Sequence, residues 1–125
     1  MSDRAEWFDV NVPAAVLAAS PMTFPLVFPQ GAVDKIRMIV PYGPAGNVGL
    51  QLWVGGSQYL PRTPGSYIVA DNYTPEWDVR NTNTSGSWQL VAYNTDIWPH
   101  LIQVAFDVSE LDRTVATPFS GYVAV

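Results

Sequence analysis

His100 is the single histidine of this 125-residue chain and there is no cysteine, so any chemistry must come from carboxylates, hydroxyls and aromatic rings. One histidine rules out a two-histidine metal site or a facial triad within one chain. The lack of cysteine rules out disulfides and thiolate ligands. A serine triad would have to use His100, yet no Gly-x-Ser-x-Gly elbow occurs, and Ser57, Ser66, Ser85 and Ser87 all lie in turn-rich segments. By strand alternation His100 shares a face with Ile102 and Val104, which predicts a partly buried histidine bonded to a carbonyl or facing a subunit contact.

The acids Asp71, Glu76, Asp78 and Asp96 could gather at one end of a sandwich, where paired carboxylates hydrolyse glycosides and oxygen-rich loops hold calcium. Neither spacing is diagnostic, and the Asp-x-Asp-x-Asp-Gly start of an EF-hand loop is absent. Turn carboxylates bonded to backbone are expected instead. Gly43-Pro44-Ala45-Gly46-Asn47-Val48-Gly49 has the glycine content of a phosphate loop, but the residues after it alternate like a strand and no lysine is near. It reads as a turn. No cofactor is expected.

The aromatic rings carry more information. Five tryptophans and six tyrosines are many for this length, and Trp53, Trp77, Trp88 and Trp98 fall among the strand patterns. Core packing accounts for some of them. Trp53 lies opposite Leu50 and Leu52 by alternation, beside Gln51, which points it outward on a neutral face and favours a protein interface, as for Trp98. Tyr73 and Trp77, close to Asn and Asp turns, are the candidates for stacking on a sugar ring.

The elements that hold these residues are short alternating segments. The last strand, expected over 97–108 after the Asn94-Thr95-Asp96 turn, is most regular from His100 and places Ile102, Val104, Phe106 and Val108 on one face with Gln103 and Asp107 on the other. Further strands are expected over 33–40, 48–54, 58–60, 67–70, 75–79 and 88–93, with Gly55-Gly56 closing a tight hairpin. The pattern predicts an all-β fold, an antiparallel β-sandwich or jelly-roll-like barrel, with its core in residues 32–108. Residues 1–31, with Pro13, Pro21, Pro25 and Pro29, read as an N-terminal arm with short helices over 2–9 and 14–19. Residues 109–125 end in Phe119-Ser120-Gly121-Tyr122-Val123-Ala124-Val125. This is an apolar arm or added strand, with Phe119, Tyr122 and Val123 as interface candidates.

Composition bounds the partners. Only 14% of residues are charged against a usual quarter or so, so much of the surface is neutral or covered. The net charge of −5 and six scattered bases lack the clustered basic footprint of a nucleic-acid binder. The acidic opening Met1-Ser2-Asp3-Arg4-Ala5-Glu6 does not predict a secretory leader, and Ala14 to Ala19 is too short for a membrane span.

The stretches Val40-Pro41-Tyr42-Gly43-Pro44-Ala45-Gly46, Pro64-Gly65-Ser66-Tyr67-Ile68-Val69 and Trp88-Gln89-Leu90-Val91-Ala92-Tyr93-Asn94-Thr95-Asp96-Ile97-Trp98-Pro99-His100 resemble small β-sandwich virion proteins of tailed bacteriophages. The resemblance covers about the central three-fifths of the chain. It implies a non-enzymatic structural role in the virion, in capsid decoration or as a tail or head-tail accessory, with capsid or tail proteins as partners. Apolar termini that exchange between subunits, and hence a homo-oligomer, fit the same role. A carbohydrate-binding or receptor-binding module is the alternative expectation.

Overall fold

A computed structural model describes residues 4–79 and 87–109. It is all-β: two antiparallel sheets pack face to face as a sandwich. The first sheet has the order β1-β9-β3-β7, from β1 (Arg4–Val12), β9 (His100–Ser109), β3 (Ala32–Ile39) and β7 (Glu76–Asp78). The second has the order β2-β8-β4-β5, from β2 (Met22–Val27), β8 (Ser87–Asn94), β4 (Val48–Val54) and β5 (Ser57–Leu60); short β6 (Ile68–Val69) also pairs with β4.

Alternation builds the core. Val10, Val12, Ile36, Met38, Ile102, Val104, Phe106 and Val108 face inward from the first sheet and meet Leu26, Val48, Leu50, Leu52, Leu60, Trp88, Leu90 and Ala92 from the second. A file of rings joins the layers: Tyr59 meets Trp88 edge-on at 5.5 Å, Trp88 lies 5.2 Å from Phe106, and Phe106 meets Phe8 edge-on at 5.9 Å and Phe28 at 4.9 Å. Such pairs add to area burial.

The expected N-terminal arm is corrected by this architecture. Residues 4–12 are not helical but form the longest edge strand, paired with β9 along its whole length, and Met22–Val27 is the edge of the second sheet. The helix expected at 14–19 is also absent: Ala15 has φ 60° and Val16 makes an isolated bridge to Asn94. The core therefore draws on residues 4–31 as well as 32–108. Residues 110–125, and with them the expected C-terminal arm, lie outside the described residues.

Charge is unevenly divided between the layers. Arg4, Glu6, Asp9, Asp34, Lys35, Arg37, Glu76, Asp78 and Asp107 all sit on strands of the first sheet. No strand of the second sheet carries a charged residue. On the outward side of the first sheet Arg37 pairs with Asp107 at 2.8 Å and lies 5.5 Å over the Trp7 ring, while Lys35 lies between Glu76 (3.6 Å) and Asp78 (3.9 Å).

Candidate docking site at the loop end

Strands β1, β3 and β8 all finish at the same end of the sandwich, so the connections 13–21, 40–47, 70–75 and 95–99 converge there. Convergence alone would leave mobile loops; here backbone hydrogen bonds tie each loop to a neighbour. Val16 and Asn94 exchange both backbone bonds (2.8 and 2.9 Å), and Ala15 N donates to the Asp96 carbonyl (3.1 Å). Val40 and Tyr73 likewise exchange bonds (3.1 and 3.0 Å), Asn72 N donates to Pro41, and Thr95 N donates to Asn47.

Side chains complete the lattice. Asn94, fully buried, donates from Nδ2 to the carbonyls of Val12 (3.2 Å) and Trp98 (2.8 Å), and its Oδ1 accepts from Asp96 N–H (2.9 Å). Asp71 Oδ1 accepts from the backbone amides of Gly43 and Ala45, each at 2.9 Å. Positive φ at Gly43, Ala45 and Gly46 turns these amides toward one point, the geometry that elsewhere cradles an anion. The chain fills that cradle with its own carboxylate, so the glycine-rich segment is a pinned turn.

His100 Nε2 lies 2.9 Å from Asp96 Oδ2, and both side chains are largely buried. The histidine's partner is a carboxylate four residues back rather than a carbonyl. The bond to His100, and then the one from Ile97 N–H, hold the Asp96 carboxyl below its ordinary range against the opposing effect of burial. Of the candidate serines, Ser57 and Ser87 lie at the opposite end beside the Gly55-Gly56 hairpin, Ser66 bonds through its carbonyl to Gln51 and Gln58, and Ser85 lies outside the described residues. Of the four acids expected to gather, Asp71 and Asp96 do so; Glu76 and Asp78 belong to the Lys35 cluster. Among the described residues no group of three or more His, Cys, Asp or Glu is placed to hold a metal.

Asp71, Asn94, Asp96 and His100 thus bond within this end, while several of its large apolar side chains face water. Leu17, Tyr42, Tyr73, Ile97 and Trp98 are between 63% and 83% exposed, on four mutually bonded loops. Large apolar side chains displayed on fixed backbone can lock onto a complementary surface with little ordering cost. The expected residues are divided by this arrangement. Trp98 and Tyr73 belong to the exposed set. Trp77 pairs with Ile36 on the inward side of β7 and packs half-buried against the core, apart from the exposed set. Trp53 is on the outward side of the second sheet, half-buried, with Nε1–H donating to Gln51 Oε1 at 2.9 Å. Phe119, Tyr122 and Val123 lie outside the described residues.

Sequence reasoning missed Leu17, Tyr42 and Ile97. The available signal was an apolar residue inside a run of turn formers, where polar side chains are the rule; Tyr42 in Pro41-Tyr42-Gly43-Pro44 is the clearest case. Compared with protein-family models, curated proteins and solved structures, the chain shows no match.

Proposed function

We propose that this chain is a non-enzymatic structural protein of a tailed-phage particle, a capsid decoration or tail accessory protein that docks on a particle protein through its loop end. The observation that carries this reading is the division of labour at that end. Asp71, Asn94, Asp96 and His100 are used up in fixing the loops, while Leu17, Tyr42, Tyr73, Ile97 and Trp98 are left outward. A catalytic cleft would keep its polar groups free to reach a substrate; here they reach each other. The resemblance in the segments 40–46, 64–69 and 88–100 supplies the kind of particle, and two of these segments contain exposed members of the set.

Aromatic anchors at the centre of an interface typically cost 2 kcal/mol or more on truncation, which is about a 30-fold loss of affinity. The test uses particles produced from a genome with this gene deleted, mixed with purified protein and sedimented. Wild-type protein is expected to co-sediment saturably, and Trp98→Ala with Ile97→Ser to lose at least 30-fold in affinity while keeping its melting temperature. Equal co-sedimentation of the variant would remove the loop end from the reading. Saturable failure of the wild type would remove the particle.

The exposure of Tyr73 and Trp98 also suits a second reading, in which the same rings stack on a neutral sugar of a receptor. Binding on a glycan array that is lost in Tyr73→Ala and Trp98→Ala would favour it.

A further inference from the structure

The two sheets end in four edges, and three of these are blunted against further pairing. β7 has three residues, and β5 and β6, which share one side of β4, have four and two. β2 carries Pro25, whose missing amide interrupts its outer row of donors. The remaining edge, β1, has none of these devices. It runs nine residues without proline, glycine or lysine and pairs with β9 without a bulge.

Both ends of β1 are tied down. Arg4 Nη2 donates to the Pro29 carbonyl at 2.6 Å, and the Val12 carbonyl accepts from Asn94 Nδ2. Across residues 5–11, every second residue turns its N–H and C=O away from β9, and no described residue pairs with that outer row. Ala5, Trp7, Asp9 and Asn11 are exposed along it. An open stretch of this length is that of an ordinary strand, and only another extended backbone matches its alternating donors and acceptors.

Register and charge select the occupant. Joining two copies edge to edge about a two-fold axis keeps inward residues opposite inward ones. Centred on Phe8, that register sets Trp7 against Asp9 and Glu6 against Val10, so it makes no ion pair and leaves the two Asp9 carboxylates diagonal neighbours on one face. Each copy also carries a net −5. A segment of another protein is free of both penalties, and the outward row asks for a cation. Trp7 and Arg37 both pair with Ala105 on β9, so the guanidinium covers the ring from the β3 side and the ring, 54% exposed, is left open toward the edge. Asp9 is held from the β9 side by Gln103 Nε2 at 3.0 Å. A Lys or Arg on an added strand would thus meet a ring face and a carboxylate together. On the inward row half-buried Phe8 and buried Val10 call for apolar residues.

From these observations we infer that residues 5–11 receive an extended segment of another protein as a further strand of the first sheet, one with a basic residue on its outward row and apolar residues on its inward row. The contact is separate from the loop end.

The experiment is a titration of the isotope-labelled full chain, followed by amide resonances, with two synthetic peptides of about eight residues, one alternating lysine and valine and the other glutamate and valine. The lysine peptide is expected to bind with a Kd of about 1 mM or tighter, to shift the amides of residues 5–11 and to give strand-to-strand Overhauser contacts with them. The glutamate peptide is expected to bind about tenfold more weakly or worse. Asp9→Lys, at an exposed position, is expected to weaken the lysine peptide by a similar factor while keeping the melting temperature. Absence of binding at about 5 mM lysine peptide overturns the inference. So do shifts centred on β2 or the loops, or equal binding of the two peptides. None of these results bears on docking through the loop end, which is read by particle binding.

Discussion

Asn94 is the point at which the sandwich and the loop end are joined, and replacing it gives the most demanding test of how that end is held. Its side chain is fully buried and makes three hydrogen bonds, to the carbonyls of Val12 and Trp98 and from the amide of Asp96. Asn94→Ala removes all three. At about 1 kcal/mol net for each bond the loss is about 3 kcal/mol, with the buried bond to the Val12 carbonyl the one least able to be replaced by water. Unfolding entropy of about 2.1 cal/mol/K per residue over 125 residues gives about 0.26 kcal/mol/K, so the melting temperature should fall by about 11 °C. Asn94→Asp keeps an oxygen for the Asp96 amide but turns a second carboxylate oxygen on two carbonyls. Burial and those carbonyls favour its protonated form, which restores a donor, so its penalty should be full at pH 7 and shrink as the pH falls through the raised pKa. Calorimetry with urea titration of both variants, followed by tryptophan fluorescence for Trp98, checks the argument. An Asn94→Ala protein within 0.5 kcal/mol of wild type would refute the idea that this side chain anchors the loops.

Two further outcomes follow from the geometry. Gly49→Ala would put a methyl group inside the Tyr93 ring, whose hydroxyl lies 2.8 Å from the added Cβ, so the ring must leave and give up its edge-on contact with Tyr67; a loss of about 1–3 kcal/mol and a changed near-ultraviolet circular dichroism spectrum are expected. Asp96 has a carboxyl held below its ordinary value mainly by His100, so its contribution is present above the unfolded pKa of about 3.9 and is lost as pH falls through the lower folded value. The stability difference between wild type and Asp96→Asn should accordingly shrink as the pH falls below about 4, as measured by urea midpoints; a difference that grows over that range would contradict the assignment.

Most of the strand pattern was legible because alternation is a strong signal wherever one side is buried and the other wet. Expected 33–40, 48–54 and 88–93 correspond to Ala32–Ile39, Val48–Val54 and Ser87–Asn94. The first 31 residues were misread for specific reasons. Phe8, Val10 and Val12 do alternate, but Asp3 followed by Glu6 mimicked a helix cap, and nothing local outweighed it. Pro25 argued against a strand, yet β2 is an edge, where a missing amide costs no ladder bond. The six-residue alanine-rich run had too little length to propagate a helix. At the loop end Trp98 and Tyr73 were visible as exposed rings among turn formers. The bonds of Asp71 to Gly43 and Ala45 and of Asn94 to Val12 were not, because they join segments brought together only by strand order; the Asp96–His100 pair, by contrast, lies within one short segment. The division of charge between sheets has the same origin: the residues are plain in the sequence, but which strands share a sheet is not.

The central claim is that this chain is a building part of a phage particle, and quantitative mass spectrometry of gradient-purified particles tests it most directly. The account predicts the chain at a fixed copy number per particle, together with its loss from particles grown with the Trp98→Ala and Ile97→Ser substitutions while the protein remains abundant in the lysate. A chain abundant in the lysate and missing from wild-type particles would contradict it.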